Sequence, residues 1–171
     1  PLDVERAAEC IEAVHSAGIP VIASNMMPDP ASYRHLLAWT GPDDWGESRL
    51  LARRLAELLD YDGGYCIIQH VKHTSLFHSR AYGFATELRK VAPRMKLLAM
   101  ESSDLDTRKS RELVAFWLQK FGKRLRGIVS PDAELVLPGV VEAVGSAGRN
   151  EVVVISHGCT EVGLRHLQVR Q

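Results

Sequence analysis

The sequence predicts an α/β fold: a doubly wound parallel sheet covered by helices on both faces, in three αβα layers. Two observations predict it. Short apolar runs alternate along the chain with longer stretches in which apolar residues recur at helical spacing. Gly18, Asp62-Gly63-Gly64, Pro93 and Gly148 punctuate that alternation. Strand following helix following strand requires crossovers, and crossovers make parallel sheets with helices on their faces.

Val4, Ala7, Ala8, Ile11 and Val14 mark the first helix, which Gly18 closes. A strand over 20–24 follows, with Pro20 at its first position. Residues 26–42 hold Pro28, Pro30 and Pro42 and read as a connection without an element of its own. Leu50, Leu51, Leu55, Leu58 and Leu59 define the second helix. A strand over 65–69 leads to a helix carrying Phe77, Ala81, Phe84, Leu88 and Val91, which stops before Pro93. A strand over 95–100 precedes a helix capped by Asp106, with Leu113, Val114, Trp117 and Phe121 on its apolar face. The strand over 125–129 is followed by helix between about 133 and 147, its start near Pro138, where proline suits the first turn. A strand over 151–156 and a helix over 160–169 complete the pattern.

Composition narrows the function. Of 171 residues, 46% are hydrophobic and 25% charged, values of a folded soluble protein. Lysine plus arginine and aspartate plus glutamate both number 21, so a basic excess for non-specific nucleic-acid binding is missing. No apolar run approaches the length of a membrane-spanning helix. Cys10, Cys66 and Cys159 are expected to be reduced packing residues. The chain opens on Pro1 and ends on Gln171 inside an amphipathic stretch, which reads as a piece of a longer protein.

In such sheets ligands bind outside the carboxyl ends of the strands. The loops there hold Asn25, His70, Lys72, His73, Thr74, Ser75, Ser102, Ser103, Asp104, Asp106, Asp132 and His157. A neutral polyol needs such groups, because each hydroxyl both donates and accepts. Trp39, Trp45 or Phe77 could stack on a sugar ring.

Other chemistries find little support. The sequence has no G-x-G-x-x-G, no G-x-x-x-x-G-K-[ST] and no G-x-S-x-G. His157 and Cys159 are read as a loop histidine and a buried thiol rather than a base–nucleophile pair. His70, His73, His78 and His157 lack an acidic ligand motif, so no metal site and no cofactor are expected. Asp43-Asp44 and Asp104-x-Asp106 are expected to interact with helix dipoles rather than to act as acid–base pairs.

Four stretches resemble the sugar-binding branch of the type 1 periplasmic-binding-protein family. Ala17-Gly18-Ile19-Pro20-Val21-Ile22 is similar to the family's "aGIPVI". Gly41-Pro42-Asp43-Asp44-Trp45, followed by Ser48, is similar to its "vgsDnyaaG". Ser79-Arg80-Ala81-Tyr82-Gly83-Phe84 resembles "xRxxGF". Ile128 to Asp132, with Val141-Glu142-Ala143-Val144 and Ala147-Gly148, resembles "ifaxnD…aAlxxaG".

The resemblance implies two doubly wound lobes with ligand in the cleft between them. On it, residues 1–63 are the remainder of the amino-terminal lobe with the hinge crossing. Residues 64–157 are the carboxy-terminal lobe, and 158–171 begin the return crossing. It implies a sugar-binding protein without catalytic activity. The implied ligand-binding residues are Asn25, Asp44, Trp45, Thr74, Arg80, Asp106, Asp132 and His157. Arg80 matches an arginine whose planar fork bridges sugar hydroxyls. Its removal is expected to weaken binding and to leave folding nearly unchanged. The sequence departs from the family pattern at Pro131, where asparagine is common, and at His157, where aspartate is usual. The favoured implication is the solute-binding component of an ABC transporter, periplasmic or extracellular, lipid-anchored in some cases, that delivers a sugar or polyol to a membrane permease. "VVVISHGCT" is also similar to effector domains of lac-repressor-like transcription regulators, which are cytoplasmic and reach DNA through a separate headpiece. A small α/β hydrolase or isomerase is the alternative from another class.

Overall fold

A computed structural model of the chain describes residues 4–168. Pro1, the side chain of Val4, Val169 and Gln171 lie outside them. The elements run α1 (Val4–Ser16), β1 (Ile22–Ser24), a short 3-10 helix (Pro30–His35), β2 (Ala38–Thr40), α2 (Asp44–Leu58), β3 (Gly64–Gln69), α3 (Ser75–Val91), β4 (Lys96–Ser102), α4 (Thr107–Phe121), a 3-10 turn (Gly122–Arg124), β5 (Leu125–Ser130), α5 (Leu137–Ser146), β6 (Val153–Ser156) and α6 (Glu161–Gln168). The strands form two parallel sheets: β1 beside β2, and a four-stranded sheet in the order β4-β3-β5-β6.

β3 organises the larger sheet. All six of its residues are buried, as a central strand covered on both faces must be. One face packs Tyr65 and Ile67 against Ala52, Leu55 and Ala56 of α2 and Ala81, Phe84 and Leu88 of α3. The other packs Cys66 and Ile68 against Val114 and Trp117 of α4 and Val140 and Val144 of α5. Alternation along β3 thus feeds two separate cores.

Several expectations are corrected. Residues 26–42 do contain elements, the 3-10 helix and β2. Three residues of strand are too few to show periodicity, and the prolines around them signal a loop. β1 begins at Ile22, past Pro20. The buried face of α2 runs through Asp44, Ser48, Ala52, Leu55 and Ala56, while Leu50 and Leu58 point to solvent. Alanines fill that face because α2 lies close against α3. Helix α2 packs into the core of the four-stranded sheet through Ala52, Leu55 and Ala56, and β2 ends before it at Thr40. Among the cysteines only Cys66 is buried; Cys10 and Cys159 are exposed free thiols.

The α4–α5 crossing is closest at Gly139. A Cβ there would meet the Thr107 carbonyl oxygen and the Ser110 hydroxyl well inside contact distance. Ser110 is already committed, donating to Thr107 O at 2.8 Å, with Val136 O also within reach at 3.1 Å. Gly139→Ala is expected to destabilise the fold by about 1–3 kcal/mol despite alanine's better helix propensity. A lowered urea midpoint would show it.

Candidate functional site

The carboxyl ends of β3, β5 and β6 and the amino-terminal turns of α2 and α3 meet at one edge of the larger sheet. Asp43 caps α2, its Oδ1 accepting from Gly46 N at 2.9 Å. Asp44 therefore opens the helix, where a carboxylate is favoured by the helix dipole. Across from it, Arg80 stands in α3, two turns in from the Thr74 cap. Arg80 Nε donates to Asp44 Oδ1 at 2.9 Å and Nη1 donates to Pro131 O at 2.6 Å. The two side chains are only 16% and 9% exposed. Among the described residues, Nη2 has no protein acceptor, so the fork keeps donors for a ligand.

His157 sits behind this pair and is completely buried. Its Nε2 lies 2.8 Å from Ser48 Oγ, and Ser48 Oγ donates to Asp44 O at 2.7 Å. The single Ser48 proton serves one of these contacts at a time: donated to Asp44 O it leaves Nε2 of His157 as the donor, and donated to Nε2 it leaves the ring proton on Nδ1, facing Ser130 O at 3.4 Å. His157 N also donates to Ser130 O at 3.1 Å, extending the β5–β6 ladder by one residue. Burial, reinforced by the Arg80 charge, lowers the His157 pKa to about 4, so the ring is neutral. His70, buried at the end of β3, is lowered for the same two reasons, opposed by Asp132 and Asp44.

The remaining candidates have visible local duties. Thr74 Oγ1 accepts from Phe77 N at 3.2 Å as the cap of α3 and lies 3.5 Å from His70 Nδ1. The carboxylate of Asp132 accepts from the backbone N–H of Glu134 and Leu135, shaping the turn after β5. Asp106 is exposed and caps α4 through Lys109 N at 2.7 Å. Trp45 is 43% exposed and lies against Gly83, at the α2–α3 crossing. Asn25 is exposed after β1 with φ 70°, its N–H on Thr40 O. Met27 N donates to Ser75 Oγ at 3.2 Å, which ties that loop to the start of α3.

The structure thus gathers Asp44, Arg80 and His157 into one network and places Thr74 and His70 beside each other. It reverses the expectation for the last loop: His157 is buried and Cys159 is exposed. The chain turns at Gly158, with φ 93°, directly after His157 has continued the strand inward. Sequence reasoning left Ser48 and the Pro131 carbonyl out of the site. Ser48 was visible as the residue one turn after Asp44 on the same helix; a backbone carbonyl leaves no mark in a sequence.

Arg80 also matters for folding, against the expectation that its removal leaves folding nearly unchanged. Removing it would leave the Asp44 carboxylate buried and unpaired. Protonation gives a second handle on stability. His157 titrates near 6.5 when unfolded and about 4 when folded, so the unfolded chain binds the extra proton first. Stability is therefore full above pH 6.5 and falls as the pH drops toward 4, by about 3 kcal/mol from this group. Urea unfolding between pH 4 and 7.5 should show that slope, and His157→Gln should flatten it.

Comparison with known proteins agrees with the geometry. A family model described as a periplasmic binding protein domain matches residues 1–169. No curated protein matches the sequence. Among solved structures, an ABC transporter solute binding protein from Bacillus halodurans C-125 with bound myo-inositol superposes with a TM-score of 0.88 at 19% identity, covering 99% of this chain and 58% of that one. One from Agrobacterium vitis with bound D-fucose gives 0.86 at 16% identity, covering 95% and 55%. One from Actinobacillus succinogenes 130z with bound D-allose gives 0.80 at 22% identity, covering 96% and 57%. The chain spans little more than half the length of these structures. With the family model covering nearly every residue and the fold shared, the chain belongs to the type 1 periplasmic-binding-protein family.

Proposed function

We propose that this chain binds a small polar ligand, a sugar or polyol, as part of the solute-binding component of an ABC transporter, acting outside the cytoplasmic membrane. The observation that carries the reading is Arg80, held at the sheet's carboxyl edge by Asp44 and Pro131 O with donors still unused. An immobilised planar fork suits vicinal hydroxyls, and its charge is already balanced by Asp44, so a neutral ligand needs no counter-ion. Three relatives of the same fold are described with bound myo-inositol, D-fucose and D-allose. The reading is one of binding without turnover, followed by delivery to a membrane permease.

The end of β2 at Thr40 and the packing of α2 into the larger sheet suggest the division of the chain. Residues before it belong to one lobe, and α2 through β6 belong to the other, with the residues after His157 beginning the return crossing. Asn25, at the end of β1, then faces the cleft from the opposite side to Arg80.

Calorimetric titration of the intact protein with myo-inositol, D-fucose and D-allose tests the reading. At least one should bind, and Arg80→Ala should weaken it about ten- to hundred-fold, the cost of a charged hydrogen-bond partner. The same variant should melt lower, because Asp44 loses its partner. Binding that is unaffected by Arg80→Ala would remove Arg80 from the site.

A further inference from the structure

We propose that His157 is a positioning residue: its side chain, through Ser48, and its backbone, through Ser130, fix the two anchors that hold the Arg80 guanidinium. This rests on reading Arg80 as the ligand-binding fork. Arg80 has two protein partners, Asp44 Oδ1 and Pro131 O. Both lead back to His157. Asp44 opens α2, and its carbonyl oxygen receives the Ser48 hydroxyl proton at 2.7 Å. The same hydroxyl meets His157 Nε2 at 2.8 Å, so the ring and the first turn of α2 share one hydrogen-bonding oxygen. Pro131 follows Ser130, whose carbonyl oxygen accepts from His157 N at 3.1 Å. One buried residue therefore fixes the first turn of α2 and the last residue of β5 relative to each other.

Burial makes the arrangement rigid. Ser48 and His157 are both fully inaccessible, so no water can substitute for either partner. The chemistry required at position 157 is specific. The group must be neutral and must place a hydrogen-bonding atom at the position of Nε2, 2.8 Å from Ser48 Oγ. A carboxylate there would only accept, and would draw the Ser48 proton away from Asp44 O. His157 is completely buried, so its effect on a ligand passes through the residues that it holds.

The test reads Arg80 directly, in the ligand-free intact protein, as solvent exchange of its Nε–H by NMR. Arg49 and Arg53 serve as internal controls, since their Nε–H groups donate to Glu87 at 2.9 and 2.7 Å between the same two helices. His157→Leu should speed Arg80 exchange about tenfold, the loss of roughly one buried hydrogen bond, while Arg49 and Arg53 hold. His157→Gln, whose amide nitrogen reaches the Nε2 position, should restore protection; His157→Asn, which mimics Nδ1, should not. Ser48→Ala should reproduce the leucine result without touching β6, and carries the test if the leucine variant fails to fold. Unchanged Arg80 exchange, an equal rise at all three arginines, or equal behaviour of the glutamine and asparagine variants overturns the proposal. Titration with myo-inositol, D-fucose and D-allose separates the two readings. Affinity falling in His157→Leu and recovering in His157→Gln supports both. If none of the three binds the wild type while Arg80 exchange behaves as expected, the sugar reading fails and the positioning role stands.

Discussion

Burial of β3 on both faces is the constraint from which the rest of the larger unit follows. A strand with six buried residues and neighbours on both edges needs a helical layer above and another below. Parallel pairing with β4 and β5 then forces every connection to cross over through a helix. All the strands consequently end at the same edge, and the helices α2 and α3 begin there. The site occupies that edge because the topology brings helix amino termini, strand carboxyl ends and their unpaired backbone groups to one place.

Within that edge the Arg80–Asp44 pair is an expensive choice for stability. Two mostly buried charges each lose solvation, and the attraction between them offsets that loss only with good geometry and further hydrogen bonds. The further bonds are present: Pro131 O accepts from the guanidinium, and the helix dipole favours the Asp44 carboxylate. The pair joins α2 to α3 and both to the end of β5. A second pairing between the same helices, Glu87 with Arg49 and Arg53, lies about two turns farther along α3. There the carboxylate is buried while the two arginines are about half exposed, and the guanidiniums hold the Glu87 carboxyl below its usual range. At Arg80 the guanidinium is itself mostly buried, at the carboxyl edge of the sheet.

The alternation of apolar runs made β3 to β6 and their helices legible, since each is long enough to display its period. β2 was not legible, because Ala38–Thr40 offers no alternation and lies among prolines. The inner face of α2 was misread through its leucines. Periodicity marks apolar residues, but close helix crossings select small ones, and Ser48, Ala52 and Ala56 carry that contact. Asp44 and Arg80 were legible by resemblance. Their bond to each other was not, because a pairing 36 residues apart depends on the crossing angle of two helices. His157 was found as a strand-end residue and assigned the wrong surroundings, since only the turn at Gly158 decides which of two nearby side chains faces inward.

Backbone conformation gives the strand ends of both sheets a further distinction. Among the described residues, four of the six non-glycine residues with positive φ stand just beyond the carboxyl ends of strands: Asn25 after β1, His73 after β3, and Asp104 and Leu105 after β4. Asn, Asp and His tolerate the left-handed region best, and a leucine there costs about 1–2 kcal/mol. Such conformations persist only where surrounding bonds over-determine them. The bonds are identifiable. Asn25 N–H is held by Thr40 O, and Asp104 by Ser102 Oγ and Lys109 Nζ. Leu105 lies between two such fixed points, Asp104 and the Asp106 cap of α4, and its side chain packs on the core beneath. These strand-end loops are therefore strained and held by identifiable bonds. A relaxed set of loops would have to order itself on binding, and the entropy of that ordering would weaken every contact made there.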